Sequence, residues 1–207
     1  MELGIQRYCT IVPGKINVNG KAFIEVAVQE SLEMSLIQSY RNLGLNYLKF
    51  FKMDNLSKLA IIAAETILKE TVHYDNADKN DFAVVLANAS ASLVTDANYQ
   101  KTISDAGNYF PSPSLFVYTL PNITIGEICI KHKIYGENVF LISEEFDAGL
   151  LHFYVNELFE RSETEHCITG WVECNDTAYE AFMILVGKGS CNIKFDINTL
   201  DKLYKIK

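Results

Sequence analysis

Six consecutive residues, Phe82-Ala-Val-Val-Leu-Ala87, carry no polar side chain. A run of this length suits a strand, and strand side chains alternate between the two faces of a sheet. Both faces of this strand must therefore be buried. That requires helices packed on either side, the usual setting of parallel strands. The flanking sequence agrees. Leu56, Leu59, Ala60, Ala63, Ala64, Ile67 and Leu68 recur at helical spacing just upstream, with Asp54, Asn55 and Ser57 as cap candidates and Lys69 suited to the helix dipole in the last turn. A polar loop, Asn88–Ser92, follows the strand.

The remaining chain alternates in the same way. Ile5–Val12 and Lys21–Val28 read as strands, broken by Pro13-Gly14 and by the hairpin signal Asn19-Gly20. Residues 31–51 read as a helix with an irregular end, and Asp75–Asn80 as a polar loop. Thr95 and Asp96 open a short helix ending near Gly107, after which Pro111 and Pro113 break the chain. Leu120-Pro121-Asn122 starts a helix carrying Ile125, Ile128 and Cys129, which ends at Lys131–Lys133 before Gly136. Val139–Ile142 is a short strand. Asp147 caps a helix through Leu150, Leu151, Tyr154, Leu158 and Phe159, and Cys167–Val172 is a further strand. Ala181–Val186 and Cys191–Phe195, flanking Gly187-Lys188-Gly189-Ser190, read as an antiparallel hairpin. The expected architecture is one α/β domain over residues 1–207, with a mixed, mostly parallel sheet and helices on both faces.

Composition narrows the function. Half of the residues are hydrophobic (49%), too many for a disordered chain. The net charge of −8, with no basic run, disfavours a nucleic-acid partner. No apolar stretch is long enough to span a membrane, and the N-terminus lacks signal-peptide order, so a cytoplasmic location is expected. Cys9, Cys129, Cys167, Cys174 and Cys191 are odd in number and show no C-x-x-C spacing, so they read as small buried hydrophobes rather than a disulfide framework or zinc site. His73, His132, His152 and His166 have no metal-ligand spacing, and His166 and Cys167, adjacent in a strand, point to opposite faces. His132 reads as a surface residue near a helix end. Neither a metal nor a cofactor is expected.

One turn is chemically unusual. Ser143-Glu144-Glu145-Phe146-Asp147-Ala148-Gly149 runs from a strand into a helix, the place where helix N–H groups converge in α/β folds. Glu144, Glu145 or Asp147 could do acid–base work there. The simpler reading is a capping Asp147 and two solvated glutamates.

Several segments together resemble the N-terminal half of the β-ketoacyl synthases, which have the thiolase-like fold. Leu56-Ser-Lys-Leu-Ala-Ile-Ile-Ala-Ala is similar to that family's "SRLALAAA" helix, and residues 82–96 to its "VVLGT…G…TD" strand and loop. Pro113-Ser-Leu-Phe-Val-Tyr-Thr-Leu-Pro-Asn-Ile-Thr-Ile-Gly-Glu-Ile resembles "SP…F…TLPN…GEI", which brings Thr119 and Asn122 into the expected pocket. Thr169-Gly-Trp-Val-Glu resembles the "GG-x-E" strand end. The likeness covers roughly residues 40–190. In the family the nucleophile is a Cys in a pattern like "D-T-A-C-S-S-S-L", and here Phe146 occupies that place. A phenyl ring cannot form a thioester. The family's paired histidines lie in a second half that this sequence does not reach. The resemblance thus implies a degenerate 3-oxoacyl-ACP synthase homologue, most simply a catalytically inactive subunit. Such a subunit would be chain-length-factor-like and act in fatty-acid or polyketide (aryl-polyene or flexirubin type) synthesis. Its expected partners are a second copy or an active ketosynthase, with an acyl carrier protein as a further candidate. The alternatives are an acyl-chain or carrier-protein binding module, and an acyltransferase with another nucleophile. The Phe146 ring is expected to pack against the Pro113–Pro121 segment and Leu150.

Overall fold

A computed structural model describes residues 2–26, 31–69, 78–176, 178–189 and 191–206. The apolar run forms β4 (Phe82–Asn88), and all seven of its residues are buried. Its side chains alternate between two cores. Phe82, Val84 and Leu86 enter one, while Ala83, Val85 and Ala87 enter the other. The first core is closed by α1 (Leu32–Asn42), α2 (Asn55–Leu68) and α5 (Ile123–His132). The second is closed by α6 (Ala148–Arg161) and α7 (Ile197–Lys205). Helices therefore cover both faces, as expected. Two short helices, α3 (Leu93–Lys101) and α4 (Pro113–Val117), lie between β4 and α5.

The sheet joins β1 (Leu3–Val12), β2 (Lys15–Val18), β3 (Lys21–Glu25), β4, β5 (Asn138–Ile142), β6 (His166–Cys174), β7 (Tyr179–Lys188) and β8 (Ile193–Lys194). Its order is β3-β2-β1-β7-β6-β4-β5, with β8 beside β1. β4 pairs in parallel with β5 and β6, and the other pairings among the described residues are antiparallel. The sheet is mixed, as expected, but less parallel than the strand–helix alternation suggested. The parallel part is confined to the crossovers through α3–α5 and through α6.

Several local expectations change. Three strands, not two, open the chain. β2 was hidden because Lys15-Ile-Asn-Val18 alternates instead of running apolar, yet Ile16 is fully buried. Asn19 and Gly20, at φ 50° and 75°, form the tight turn into β3, as the Asn-Gly pair predicts. Residues 27 and 28 of the second expected strand lie outside the described residues, as do 75–77 of the polar loop, Ser190 and His73. The helix after β4 stops at Lys101 rather than near Gly107. The expected C-terminal hairpin does not form. β7 already has β1 on one edge and β6 on the other, so residues 193–194 pair with Gly4 and Ile5 of β1.

His132 is not a surface residue. Its side chain is buried, and Nε2 lies 3.0 Å from Glu65 Oε1 on α2, with Lys131 Nζ also at 3.0 Å. Burial acts to raise the Glu65 carboxyl. The hydrogen bonds and charges of His132 and Lys131 outweigh it and hold the group below its ordinary 4.5. A carboxyl depressed on folding stabilises the fold at neutral pH. That contribution is lost as pH falls from about 4.5 through the lower folded value. Glu65→Gln should cost about 1.5–3 kcal/mol at pH 7, the usual worth of charge-assisted hydrogen bonds. It should also flatten the acid limb of a stability–pH curve from urea titrations.

Candidate functional site

The C-terminal ends of β4, β5 and β6 converge on one rim of the sheet, and the loops that leave them are tied together by polar groups. Glu173, near the end of β6, accepts from the backbone N–H of Ala89 at 2.8 Å and Ser90 at 3.1 Å. Asn88 brackets the same loop, accepting from Ala91 N and donating to Ala91 O, both at 3.0 Å, while Ala91 turns through φ 48°. Ser143, leaving β5, donates its N–H to Asn88 O. Ser92 Oγ reaches Thr119 O at 2.6 Å. Three strand ends and the segment before α5 thus share one frame.

The turn Ser143–Gly149 leaves this frame and opens α6. Asp147 caps the helix, its Oδ1 accepting from Leu150 N at 2.9 Å. Glu144 and Glu145 are exposed, Ala148 is buried, and Phe146 is half-buried. The capping reading of Asp147 holds. The Phe146 ring does not pack against the Pro113–Pro121 segment. It stacks flat on Tyr204 of α7, with centroids 4.0 Å apart, and meets Phe182 and Trp171 edge-on at 5.7 and 6.4 Å. Phe146 joins the second core, whereas Tyr118 belongs to the first, across the sheet. Thr119 meets the rim through its carbonyl, and its hydroxyl turns back to Phe116 O at 2.7 Å. Asn122 is exposed at the start of α5 and makes no side-chain cap. Of the expected pocket residues, only 144–149 share one place. Tyr204, Trp171, Phe182 and Glu173 complete it. The "GG-x-E" likeness pointed to Glu173, but nothing local to the sequence pointed to Tyr204.

Gly170 permits the close approach behind this cluster. A Cβ there would lie 2.0 Å from Phe182 O, and φ is 151°.

Four of the five thiols offer poor nucleophiles. Burial pushes Cys9 and Cys174 up to about 12 and Cys129 to about 11, and raises Cys167 too. For Cys174 the nearby Asp54, Glu173 and Asp176 add to the effect. A cleft of about 240 Å³ lies between the starts of α1 and α2, helix α3 and the end of β6. It is no apolar tunnel. Asp54 sits in its wall, its carboxyl raised by burial against hydrogen bonds from Ser57 and Thr95, and the buried Lys58 pairs there with Glu33. Among the described residues, no cluster of His, Cys, Asp or Glu is arranged to hold a metal, and no helix is long and apolar enough to cross a membrane.

Solved structures share this architecture. The fold is the thiolase-like fold of the ketosynthases. An ishigamide ketosynthase/chain length factor chain superposes with a TM-score of 0.67 at 14% identity, over 93% of this chain and 64% of that one. A chain from the ketosynthase ApeO in complex with its chain length factor ApeC, from Xenorhabdus doucetiae, gives 0.61 at 15% identity, over 92% and 80%. The AntDE:AntF complex, a type II acyl-carrier protein with its ketosynthase, gives 0.59 at 11%, over 90% and 62%. The chain therefore spans less than two thirds of the length of the first of these. No family model and no curated protein matches the sequence.

Removing the Glu173 carboxylate should loosen the rim without unfolding the sheet. Glu173→Ala leaves two loop N–H groups without their acceptor and should cost about 1.5–3 kcal/mol. Amide exchange at Ala89 and Ser90 should rise well above that of β4. Phe146→Ala should cost about 3 kcal/mol, the low end for truncating a packed ring, because the ring is only half-buried. A thermal melt equal to wild type would place the ring in solvent.

Proposed function

We propose that the chain is a catalytically silent ketosynthase-like subunit, chain-length-factor-like, that works beside a ketosynthase in fatty-acid or polyketide synthesis of the aryl-polyene or flexirubin type. The observation that carries this is the α6 turn. It keeps the strand-to-helix geometry in which the family resemblance places a nucleophilic Cys, but it presents Phe146 packed among aromatic rings. A helix start favours a thiolate through its partial positive charge, and here Glu144, Glu145 and Asp147 oppose that field.

The open sheet edge supports an association role. Among the described residues β5 pairs with β4 alone, and Ile142 at its end is 53% exposed. An uncovered apolar strand edge invites pairing with another chain. Residues 136–150 would form the centre of an isologous dimer or of a heterodimer with an active ketosynthase. Two of the solved relatives above are themselves described as a ketosynthase with its chain length factor, and a third is a ketosynthase with its acyl carrier protein. An acyl-chain module draws less support from a cleft lined by charged groups, and an acyltransferase less from thiols raised by burial. The subunit is expected to act in the cytoplasm and to need no cofactor.

Two measurements test the proposal. Incubated with acyl-loaded carrier protein, the chain should show no acyl adduct by intact mass and no condensation product. A stable adduct on any cysteine overturns the silence. In sedimentation at micromolar concentration, the chain should self-associate or bind a co-expressed ketosynthase, and Ile142→Lys should weaken this at least tenfold while leaving the melt unchanged. A monomer with no ketosynthase affinity overturns the subunit reading.

A further inference from the structure

Four elements meet at Phe146: the start of α6, the end of β6, the start of β7 and helix α7. The floor belongs to the sheet. Trp171 and Phe182 are nearly fully buried on β6 and β7, opposite one another in the strand register. The ring lying on top comes from α7. Tyr204 stacks on Phe146 with an interplanar angle of 16°, and its hydroxyl donates to Glu180 Oε1 on β7 at 2.7 Å. Burial first, then the hydrogen bond and charge of Glu180 and the charges of Glu145 and Glu173, raise the Tyr204 hydroxyl. It therefore stays protonated and able to donate, with carboxylates of the α6 turn, β6 and β7 around it.

We propose that α7 is an intramolecular cover over the α6 turn. The Tyr204 ring occupies the apolar space above Phe146, so the Trp171–Phe182 floor of the turn opens to solvent or to a ligand only when α7 leaves. The cover is separable because the floor does not depend on it. β6 and β7 are joined through a continuous ladder from His166–Gly187 to Cys174–Tyr179, whereas α7 is tethered by β8, two residues paired with Gly4 and Ile5. It is further held by the burial of Leu200 and Leu203, by the preceding Phe195, which stacks on His152 and donates its N–H to Leu3 O, and by the Tyr204 ring contacts and the Tyr204–Glu180 bond. The helix carries its own cap, Asp196 Oδ1 to Thr199 N at 2.9 Å, so it can leave as a unit. This inference stands on the geometry of the turn and does not require the subunit reading.

The test reads access, not activity. Phe146→Cys is made alone, with Tyr204→Phe and with Tyr204→Ala, and alkylation at position 146 is followed by peptide mass with iodoacetamide as the probe. The rate should be slow in the first two and at least tenfold faster with Tyr204→Ala. Trp171, the only tryptophan, should become more open to acrylamide quenching with Tyr204→Ala while far-UV circular dichroism stays native. Equal rates and equal quenching in all three overturn the proposal. Should Tyr204→Ala fail to fold, the unaltered chain decides. Backbone amides of α7 should exchange through a local opening at least a hundredfold more frequent than the one that frees β4. Exchange of α7 only with β4 makes it part of the core and overturns the cover.

Discussion

The double burial of β4 is the constraint on which the rest of the molecule depends. A strand with no polar face stays in water only if both sides are covered, and the two layers that cover it are built from different parts of the chain. Helices α1, α2 and α5 seal Phe82, Val84 and Leu86, while α6 covers Ala83, Val85 and Ala87, with α7 packed against α6. The side chains are unequal: large on the first face, small on two of three positions of the second. The small face lets α6 approach closely, and the helix that follows β5 is thereby seated against the strand ends. Burial also dictates what happens where β4 stops. Its last residue, Asn88, is fully buried and polar, and it spends its amide on Ala91 and its carbonyl on Ser143. The rim of the site follows from satisfying that one side chain and its neighbours.

The same accounting explains why the rim is acidic without being an anion repeller. The two consecutive N–H groups of Ala89 and Ser90 make a small positive concavity, and Glu173 fills it from within the chain. The loop's N–H groups are thus satisfied internally. Glu144 and Glu145 are solvated, and the charge of Glu145, with those of Glu180 and Glu173, falls on the Tyr204 hydroxyl. The site's electrostatics thus favour holding a hydroxyl proton in place over generating a thiolate or an alkoxide.

What was legible in the sequence was local. β4, α2 with its Asp54 cap, and α6 with its Asp147 cap follow from periodicity and capping within a dozen residues, and the structure keeps all of them. Helix coverage on both faces also followed, because an apolar strand admits little else. The losses have a common physical origin. β8 was assigned to β7 by proximity in sequence, but pairing is decided by which edge is free, and β7 has none. His132 looked exposed because its partner Glu65 lies on another helix. The Pro113–Pro121 segment and Phe146 look like neighbours because both flank the β4–β5 unit, yet Tyr118 packs in the first core and Phe146 in the second. In each case the deciding contact is long-range, and no window of residues contains it.

At the turn of Phe146, backbone geometry and side-chain chemistry are set by different residues. The junction itself is set by the capping Asp147, by β5 pairing with β4 and by the Ser143–Asn88 bond, none of which depends on residue 146. That position is therefore free to change without loss of the fold. A small polar side chain there would leave an apolar hollow above Trp171 and Phe182, and hollows in a packed core are costly. A phenyl ring removes the hollow on one side, and Tyr204 removes it on the other, with edge-on and stacked contacts that aromatic quadrupoles favour. Packing and chemistry then pull in the same direction. The ring that fills the turn also places no hydroxyl or thiol at position 146 and covers the Trp171–Phe182 floor beneath it.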